Sequence, residues 1–531
     1  MTEKEFDTLK NELIAEVELP ISAEKIIEQI KIFEKGIPFL KLSKPCTIGD
    51  GIKAISETDQ NHFTEIFLKA LDEGRVVKFV PASGAATRMF KKQLAVVGKH
   101  SHLSLKEIKK LADRGDEEYK ATLEFIENIY RFAFYNELKK VVERNGKSLE
   151  DLIENQKVSE IIRLVTENIG LNYANLPKGS IIFHSYPDES RTAFEEHLIE
   201  ATNYAAGKNK VVKVHFTISP EHETDVKKLF NQLLDKYKVQ GWAFNISFSF
   251  QSPSTNTVSV TLDNKPLIDE NGKIVFRPGG HGALLKNLND LNADIVSIKN
   301  IDNIVPDHLR EETYKYKKIL GGYLIYLQEK VFSLLRKLDG ETTDELFLNE
   351  TLDFIKAEFD IDVSNRLKAT DLNGKREFIF NFLNRPIRVC GMVKKEDHPG
   401  GSPFWIESEN GEVSKQIVET AQVNLSNKNQ ARIYNRATHF NPVDLVCGLK
   451  DYKGNNFNLE RFSNPETGLI TKKSKDGKEL KALELPGLWN GGMYYWLTVF
   501  VEVPKITFNP VKEVNDLLKP EHQPLNSKKA N

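Results

Sequence analysis

Short apolar runs ending in small-residue turns, each followed by a helical stretch, constrain this chain more than any other feature. Arg75-Val-Val-Lys-Phe-Val80 reads as a strand, Pro81-Ala-Ser-Gly-Ala-Ala86 as a turn, and helical spacing resumes at Thr87 or Arg88. The same alternation returns downstream. Strands are expected at Ile181 to Tyr186, Lys213 to Ser219, Asn245 to Gln251, Val258 to Leu262, Ile274 to Pro278 and Asp294 to Asp302, with helices at Thr192 to Ala206, after Pro220 and at Ala283 to Leu288. Strands alternating with helices call for a mostly parallel sheet covered on both faces.

Three other stretches read as helical: 1–74, with one interruption near Pro45 to Gly51, then 91–170 and 308–380. A strand-rich region starts at Arg385 and reaches about Gly448, followed by a Trp/Tyr-rich segment, Leu488 to Phe500. No repeat or low-complexity linker separates these parts. The expected organisation is a helical region 1–74, an α/β core 75–305 carrying a helical insertion 91–170, a second insertion 306–384, a further part of the core 385–520, and a tail 521–531.

The charge balance narrows the partners. With 74 basic against 76 acidic residues, the formal net charge of −2 supplies no global field toward nucleic acid or an anionic membrane. Cys46, Cys390 and Cys447 are too few and too far apart for a disulfide framework or a zinc cluster, which fits a reducing compartment. The N-terminus is no secretory signal, and the apolar stretch around Ile319 to Leu327 contains Gly321 and Gly322 and is too short to span a bilayer. The expectation is a cytoplasmic protein.

Phosphate binding is expected at Val80 to Met89. The small side chains of Ala82, Ser83, Gly84 and Ala85 let main-chain N–H groups approach a polyphosphate, the helix start after Thr87 favours negative charge, and Arg88 adds a bidentate donor. A plain tight turn is the competing reading. The loop resembles the signature of sugar-nucleotide pyrophosphorylases, a glycine-rich turn ending in Gly-Thr-Arg-Met, with Ala86 standing where that family has its last glycine. A positive φ at that position would strain alanine.

Further segments resemble eukaryotic-type UDP-glucose pyrophosphorylases in the same order. Phe276-Arg-Pro-Gly-Gly-His-Gly-Ala-Leu-Leu285 is similar to the family's Pro-Gly-His-Gly turn, which implies that Gly280, His281 and Gly282 meet the uracil and ribose. Ser249 to Pro253 is similar to its Phe-X-Gln strand end and adds Gln251. Asn300-Ile-Asp-Asn303 is similar to Asn-(apolar)-Asp-Asn, so the resemblance makes Asp302 the Mg²⁺ ligand. Pro399-Gly400-Gly401, the run Glu412 to Val423 and Thr438 to Leu445 match the sugar-holding segments, implying Gly400, Gly401, Glu419 and Asn441. Phe508-Asn-Pro-Val-Lys-Glu-Val-Asn-Asp-Leu-Leu518 matches the segment carrying a phosphate-binding lysine, here Lys512, and Leu176-Pro-Lys-Gly179 supplies Lys178 after the insertion. The runs 416–423, 441–448 and 482–490 also look like an uncharacterised bacterial family described only as a domain of unknown function.

The implied fold is a Rossmann-like mixed, mostly parallel sheet of the nucleotide-diphospho-sugar transferase (GT-A-like) type with helical insertions. The implied activity joins a sugar 1-phosphate to a nucleoside triphosphate, UTP by resemblance, with Mg²⁺. Such a reaction needs cations, because a dianion attacks a tetra-anion. Arg88, Lys178 and Lys512 are the catalytic candidates, and Asp444 is a candidate second metal carboxylate. His184, Tyr186 and Arg191 are candidate pocket residues, a buried structural role being the stronger reading for His184. A glycosyltransferase, a non-catalytic sugar-nucleotide sensor and a helical scaffold remain as alternatives.

Overall fold

Ten strands form the central sheet of the computed structural model, which describes residues 19–100, 104–340, 343–396, 400–408, 411–475 and 478–525. They are β1 (Thr47–Ile48), β2 (Gly51–Lys53), β3 (Val76–Pro81), β4 (Val211–Thr217), β5 (Ala243–Ser249), β6 (Ile295–Lys299), β7 (Ile387–Lys394), β8 (His439–Phe440), β9 (Asp444–Gly448) and β10 (Leu497–Glu502). The order across the sheet is β1-β2-β10-β7-β9-β6-β3-β4-β5, with β8 paired to β7. Neighbours run parallel except around β9, which lies antiparallel between β6 and β7, and at the antiparallel β8–β7 pair. The central strands read as near-continuous apolar runs because both faces are covered, every residue of β6 and of β9 being buried, whereas the edge strand β5 alternates and stays partly exposed.

The α/β expectation therefore holds, and the region after residue 385 completes the same sheet. Several local expectations change. The interruption near Pro45 to Gly51 widens into the strand Lys41–Pro45 plus β1 and β2, so 1–74 is not a purely helical region; residues 1–18 lie outside the described part, as do 526–531 of the tail. Ile182–Ser185 pairs antiparallel with Ser190–Thr192 away from the main sheet, because a turn closed by Tyr186 N–H to Glu189 O (2.7 Å) reverses the chain. Thr257–Val260 and Phe276–Arg277 join a separate antiparallel sheet with Leu469–Lys475 and Lys478–Glu484. The expected strand from Asp294 to Asp302 stops at Lys299, leaving Asn300 to Asn303 as a loop.

The insertion is helical as expected, from Lys91–Lys99 to Val158–Thr166. The 30-residue helix Glu311–Gly340 packs on helix Glu57–Asp72. Gly321 and Gly322 make that approach: a Cβ on Gly322 would lie 1.7 Å from the carbonyl oxygen of Phe63. Among the described residues no helix is long and apolar enough to cross a membrane. All three cysteines are buried and free.

Candidate active site

Strand order reverses between β3 and β6: the chain leaves β3 toward β4 and β5 on one side and returns to place β6 on the other. In open α/β sheets the crevice at the carboxyl ends of such a pair is where ligands bind. Residues 82–88 leave the end of β3, and Asn300 to Asn303 leave the end of β6.

The loop after β3 is held from several sides. Ala82 N–H donates to Thr217 O (2.9 Å), Ser219 Oγ to Ser83 O (2.9 Å), Ala86 N–H to Leu176 O (3.0 Å) and Thr87 Oγ1 to Ala174 O (2.7 Å). Ala86 lies in the 3₁₀ turn Ala86–Arg88 and is absent from the positive-φ residues, so it carries no left-handed strain; its methyl is fully buried. Gly84, Ala85, Thr87 and Arg88 stay exposed along the rim.

The displaced Pro-Lys segment returns to this loop across the whole insertion. Lys178 N–H donates to Gly84 O (3.2 Å). The turn beneath it is forced tight, because a Cβ on Gly179 would lie 2.5 Å from the Phe194 ring. Lys178 Nζ lies 3.1 Å from Asp302 Oδ2 and donates to Val511 O at 2.9 Å. Val511 N–H in turn donates to Asp302 O (3.0 Å). Asn303 is consumed structurally: Nδ2 donates to Thr507 O (3.2 Å) and Oδ1 accepts from Asn509 N–H (3.0 Å).

The segment bearing Lys512 is strapped onto the insertion. Val514 N–H donates to Met89 O (3.0 Å), Lys92 Nζ pairs with Glu513 (2.7 Å), Asn515 Nδ2 donates to Ala121 O (2.8 Å) and Arg131 Nη2 to Leu518 O (3.1 Å). Farther along, His522 Nδ1 lies 3.0 Å from His184 Nε2. His184 is buried and bonded to Glu196 Oε1 (2.7 Å), which matches the structural reading of that residue. Tyr186 also donates to Glu196 Oε1 (2.8 Å), and Arg191 stacks on the Tyr186 ring (3.9 Å), so the three form one cluster. Lys512 itself is exposed, its N–H bonded to Asp516 Oδ2 (2.7 Å).

The glycine turn 279–282 forms another wall. Gly280 has φ +72, and a Cβ on Gly282 would lie 2.5 Å from Pro486 O. The His281 ring, though it reaches solvent, lies 4.7 Å from the Trp489 ring; partial desolvation and the charge of Arg88 lower its pKa, opposed by Glu484. Gln251 is half-buried beyond β5, two strands from β3, and stands apart from the Lys178–Asp302 pair.

Candidate sugar residues approach from the C-terminal half. A Cβ on Gly401 would lie 2.6 Å from Ile417 Cγ2, and one on Gly400 would lie 3.2 Å from Phe440, whose ring meets Phe508 at 5.1 Å. Pro399 of that turn lies outside the described residues. Glu419 Oε1 accepts from Asn490 Nδ2 (3.0 Å); burial, then the like charge of Glu484, pushes its carboxyl above the ordinary range. Asn441 is buried with both ends of its amide on main chain, Nδ2 to Gly391 O (2.9 Å) and Oδ1 from Val443 N–H (3.1 Å). It holds the turn before β9, where Val443 adopts φ 57.

Asp444 is a correction. It is fully buried and ion-paired to Lys317, so it is not available as a second metal ligand. Among the described residues no group of three or more His, Cys, Asp or Glu side chains could hold a metal. One partly exposed carboxylate, Asp302, fits only a cation that arrives already bound to phosphates, the usual mode of Mg²⁺. A cleft of about 1150 Å³ lies elsewhere, near the start of β10 and lined by residues such as Trp405, Gln416, Tyr494 and Trp496; it includes none of these candidate residues.

Sequence reading marked the run 482–490 but gave no site role to Glu484, Trp489 and Asn490, which lie beside the candidate sugar and base walls. Their place at the site depends on the pairing of Lys478–Glu484 with Thr257–Val260, which arises only in three dimensions. A family model described as a domain of unknown function, DUF4301, matches residues 10–523. The chain belongs to the DUF4301 family. No curated protein matches this DUF4301 chain. Among solved structures, the UDP-glucose pyrophosphorylase from Leishmania major is 12% identical, covering 98% of this chain and 79% of that one at a TM-score of 0.45. The uridine diphosphate N-acetylglucosamine pyrophosphorylase from Trypanosoma brucei is 12% identical over 93% and 74%, at 0.47. A putative UDP-N-acetylglucosamine pyrophosphorylase from Entamoeba histolytica is 12% identical over 87% and 82%, at 0.42.

Proposed function

We propose that this DUF4301 protein is a sugar nucleotidyltransferase of the nucleotide-diphospho-sugar transferase type, joining a sugar 1-phosphate to a nucleoside triphosphate, with UTP the nucleotide, and releasing pyrophosphate. The observation that carries the reading is the contact of Lys178 with Asp302 and Val511 at the reversal of strand order, which gathers four segments distant in sequence around one crevice.

A non-bridging oxygen of the sugar phosphate attacks the α-phosphorus, the bond from that phosphorus to the α,β-bridging oxygen breaks, and the electron pair leaves on that oxygen, which becomes a terminal oxygen of pyrophosphate. The nucleophile is already ionised, so no general base is needed; positioning and charge neutralisation supply the rate. The loop 82–87 cradles the triphosphate, Arg88 and Lys512 bring charge from two segments joined by Val514 N–H to Met89 O, and Lys178 adds charge at the crevice. Gly280, His281 and Gly282 form the base wall, with Gln251 farther out, and Gly400, Gly401 and Glu419 face the sugar. Asn441 shapes their turn. Asp302 would hold Mg²⁺ carried in on the phosphates, and the ion would supply further neutralisation of the triphosphate.

The test is a panel of nucleoside triphosphates against sugar 1-phosphates with Mg²⁺, read by pyrophosphate release. Release with at least one pair supports the reading. Nucleotide-sugar binding without turnover would replace it with a sensor, and sugar transfer from a nucleotide sugar to an acceptor would replace it with a glycosyltransferase.

A further inference from the structure

Directly behind the crevice lies a group of charges with almost no solvent exposure. Lys78 projects from the middle of β3 and Lys299 from the last position of β6, the two strands that flank the reversal. Glu200, on helix Ala193–Ala201, bridges them: Lys78 Nζ donates to Oε1 at 3.0 Å and Lys299 Nζ to Oε2 at 2.6 Å. Tyr204 adds a third donor to Oε1 at 2.5 Å. One turn earlier on the same helix, His197 Nε2 donates to Ile301 O at 3.1 Å, and Lys78 Nζ donates to His197 O at 2.8 Å. Ile301 immediately precedes Asp302. Lys317 and Asp444 form a second pair, and Asp444 lies opposite Lys299 in the register of β9 on β6.

Stability does not explain this arrangement. The remaining residues of β3 and β6 are mostly apolar, and replacing a buried ion network by apolar side chains of similar volume is often neutral or stabilising. The network also does not balance: Lys78, Lys299 and Lys317 face Glu200 and Asp444, while the buried, neutral His197 adds no charge. Low dielectric disfavours that surplus beneath the place where a triphosphate would sit, and burial lowers the pKa of Lys78 to about 7.

We propose that Glu200 is a positioning residue for the phosphate crevice: through Lys78 and Lys299 it sets the spacing of the strands that launch loop 82–88 and Asp302, while His197 fixes the main chain at Ile301. The proposal rests on the nucleotidyltransferase reading.

The test compares wild type with the apolar triple variant Lys78→Met, Glu200→Leu, Lys299→Met, and with His197→Phe and His197→Gln. The triple variant is expected to melt no lower than wild type, to lose at least tenfold in kcat with the sugar 1-phosphate KM within about twofold, and to bind the nucleoside triphosphate at least threefold more weakly by calorimetry without Mg²⁺. His197→Phe is expected to lower kcat, and His197→Gln, which keeps an N–H donor, to restore it to within about twofold. These two variants decide the matter alone if the triple variant fails to fold. Wild-type kcat and nucleotide affinity in a folded triple variant, or equal rates in both His197 variants, overturn the proposal and leave the nucleotidyltransferase reading standing. A wild-type protein that releases no pyrophosphate with any pair overturns that reading and the proposal together.

Discussion

Lys178 Nζ sits 3.1 Å from Asp302 Oδ2, joining residues 124 positions apart, one bonded to the loop after β3 and the other in the loop after β6. Both side chains are mostly buried, at 14% and 21% exposure, so the pair is shielded from water yet open to the crevice. Lys178→Met should lower kcat/KM about 10²- to 10³-fold, the usual loss for one preorganised charge donor at a site where charge develops. Asp302→Asn should do the same and remove the Mg²⁺ dependence. The double variant should fall well short of the product of the two losses, because the residues act as a unit. Fully multiplicative losses, read by pyrophosphate release, would show that the two act independently.

Lys512 gives a cleaner separation of function from fold. Its side chain is exposed and only its main-chain N–H is bonded to Asp516. Lys512→Ala should change stability by no more than about 0.5 kcal/mol and lower kcat about 10²-fold. A wild-type rate in that variant removes Lys512 from the mechanism.

Acid should weaken the fold from about pH 6.5 downward. Burial lowers the pKa of His215 to about 4, and burial followed by the charge of His184 lowers that of His522 to about 3. Below 6.5 the unfolded chain takes up protons that the folded protein refuses, so stability falls with pH until each folded pKa is passed. For His215 alone the loss is about 3 kcal/mol by pH 4. Urea midpoints measured from pH 7.5 to 4 should fall steadily, and His215→Gln should flatten the curve; an unchanged slope would clear His215 of the effect.

Two glycines on one helix should respond differently to the same substitution. Gly322→Ala puts a methyl 1.7 Å from Phe63 O and should cost about 3 kcal/mol or more, since two helices must separate. Gly340→Ala, at the end of the same helix with nothing within 4 Å, should be neutral or stabilise by up to about 1 kcal/mol. Equal urea midpoints for the two variants would contradict the close packing of these helices.

Periodicity and turn chemistry are properties of neighbouring residues, and these were legible in the chain. The apolar runs before Pro81 and Asn300, the all-helical character of 91–170 and the small-residue loop at 82–86 follow from local spacing and side-chain size. The ordered motifs from Arg88 to Lys512 were singled out instead by their resemblance to segments of sugar-nucleotide pyrophosphorylases. A lysine in the middle of Val76–Pro81 and another at the end of Ile295–Lys299 were signals too, because a charge in an apolar strand demands a partner.

That partner, Glu200, could be identified only once helix Ala193–Ala201 lay across both strands. Tertiary structure likewise paired Asp444 with Lys317, spent the amide of Asn441 on main chain, moved Thr257–Val260 into a second sheet and returned Lys178 to Gly84 across the insertion. The physical reason is common to all five. A local pattern specifies which way a backbone turns and which face is apolar, whereas the availability of a charge or an amide depends on what the rest of the chain packs against it.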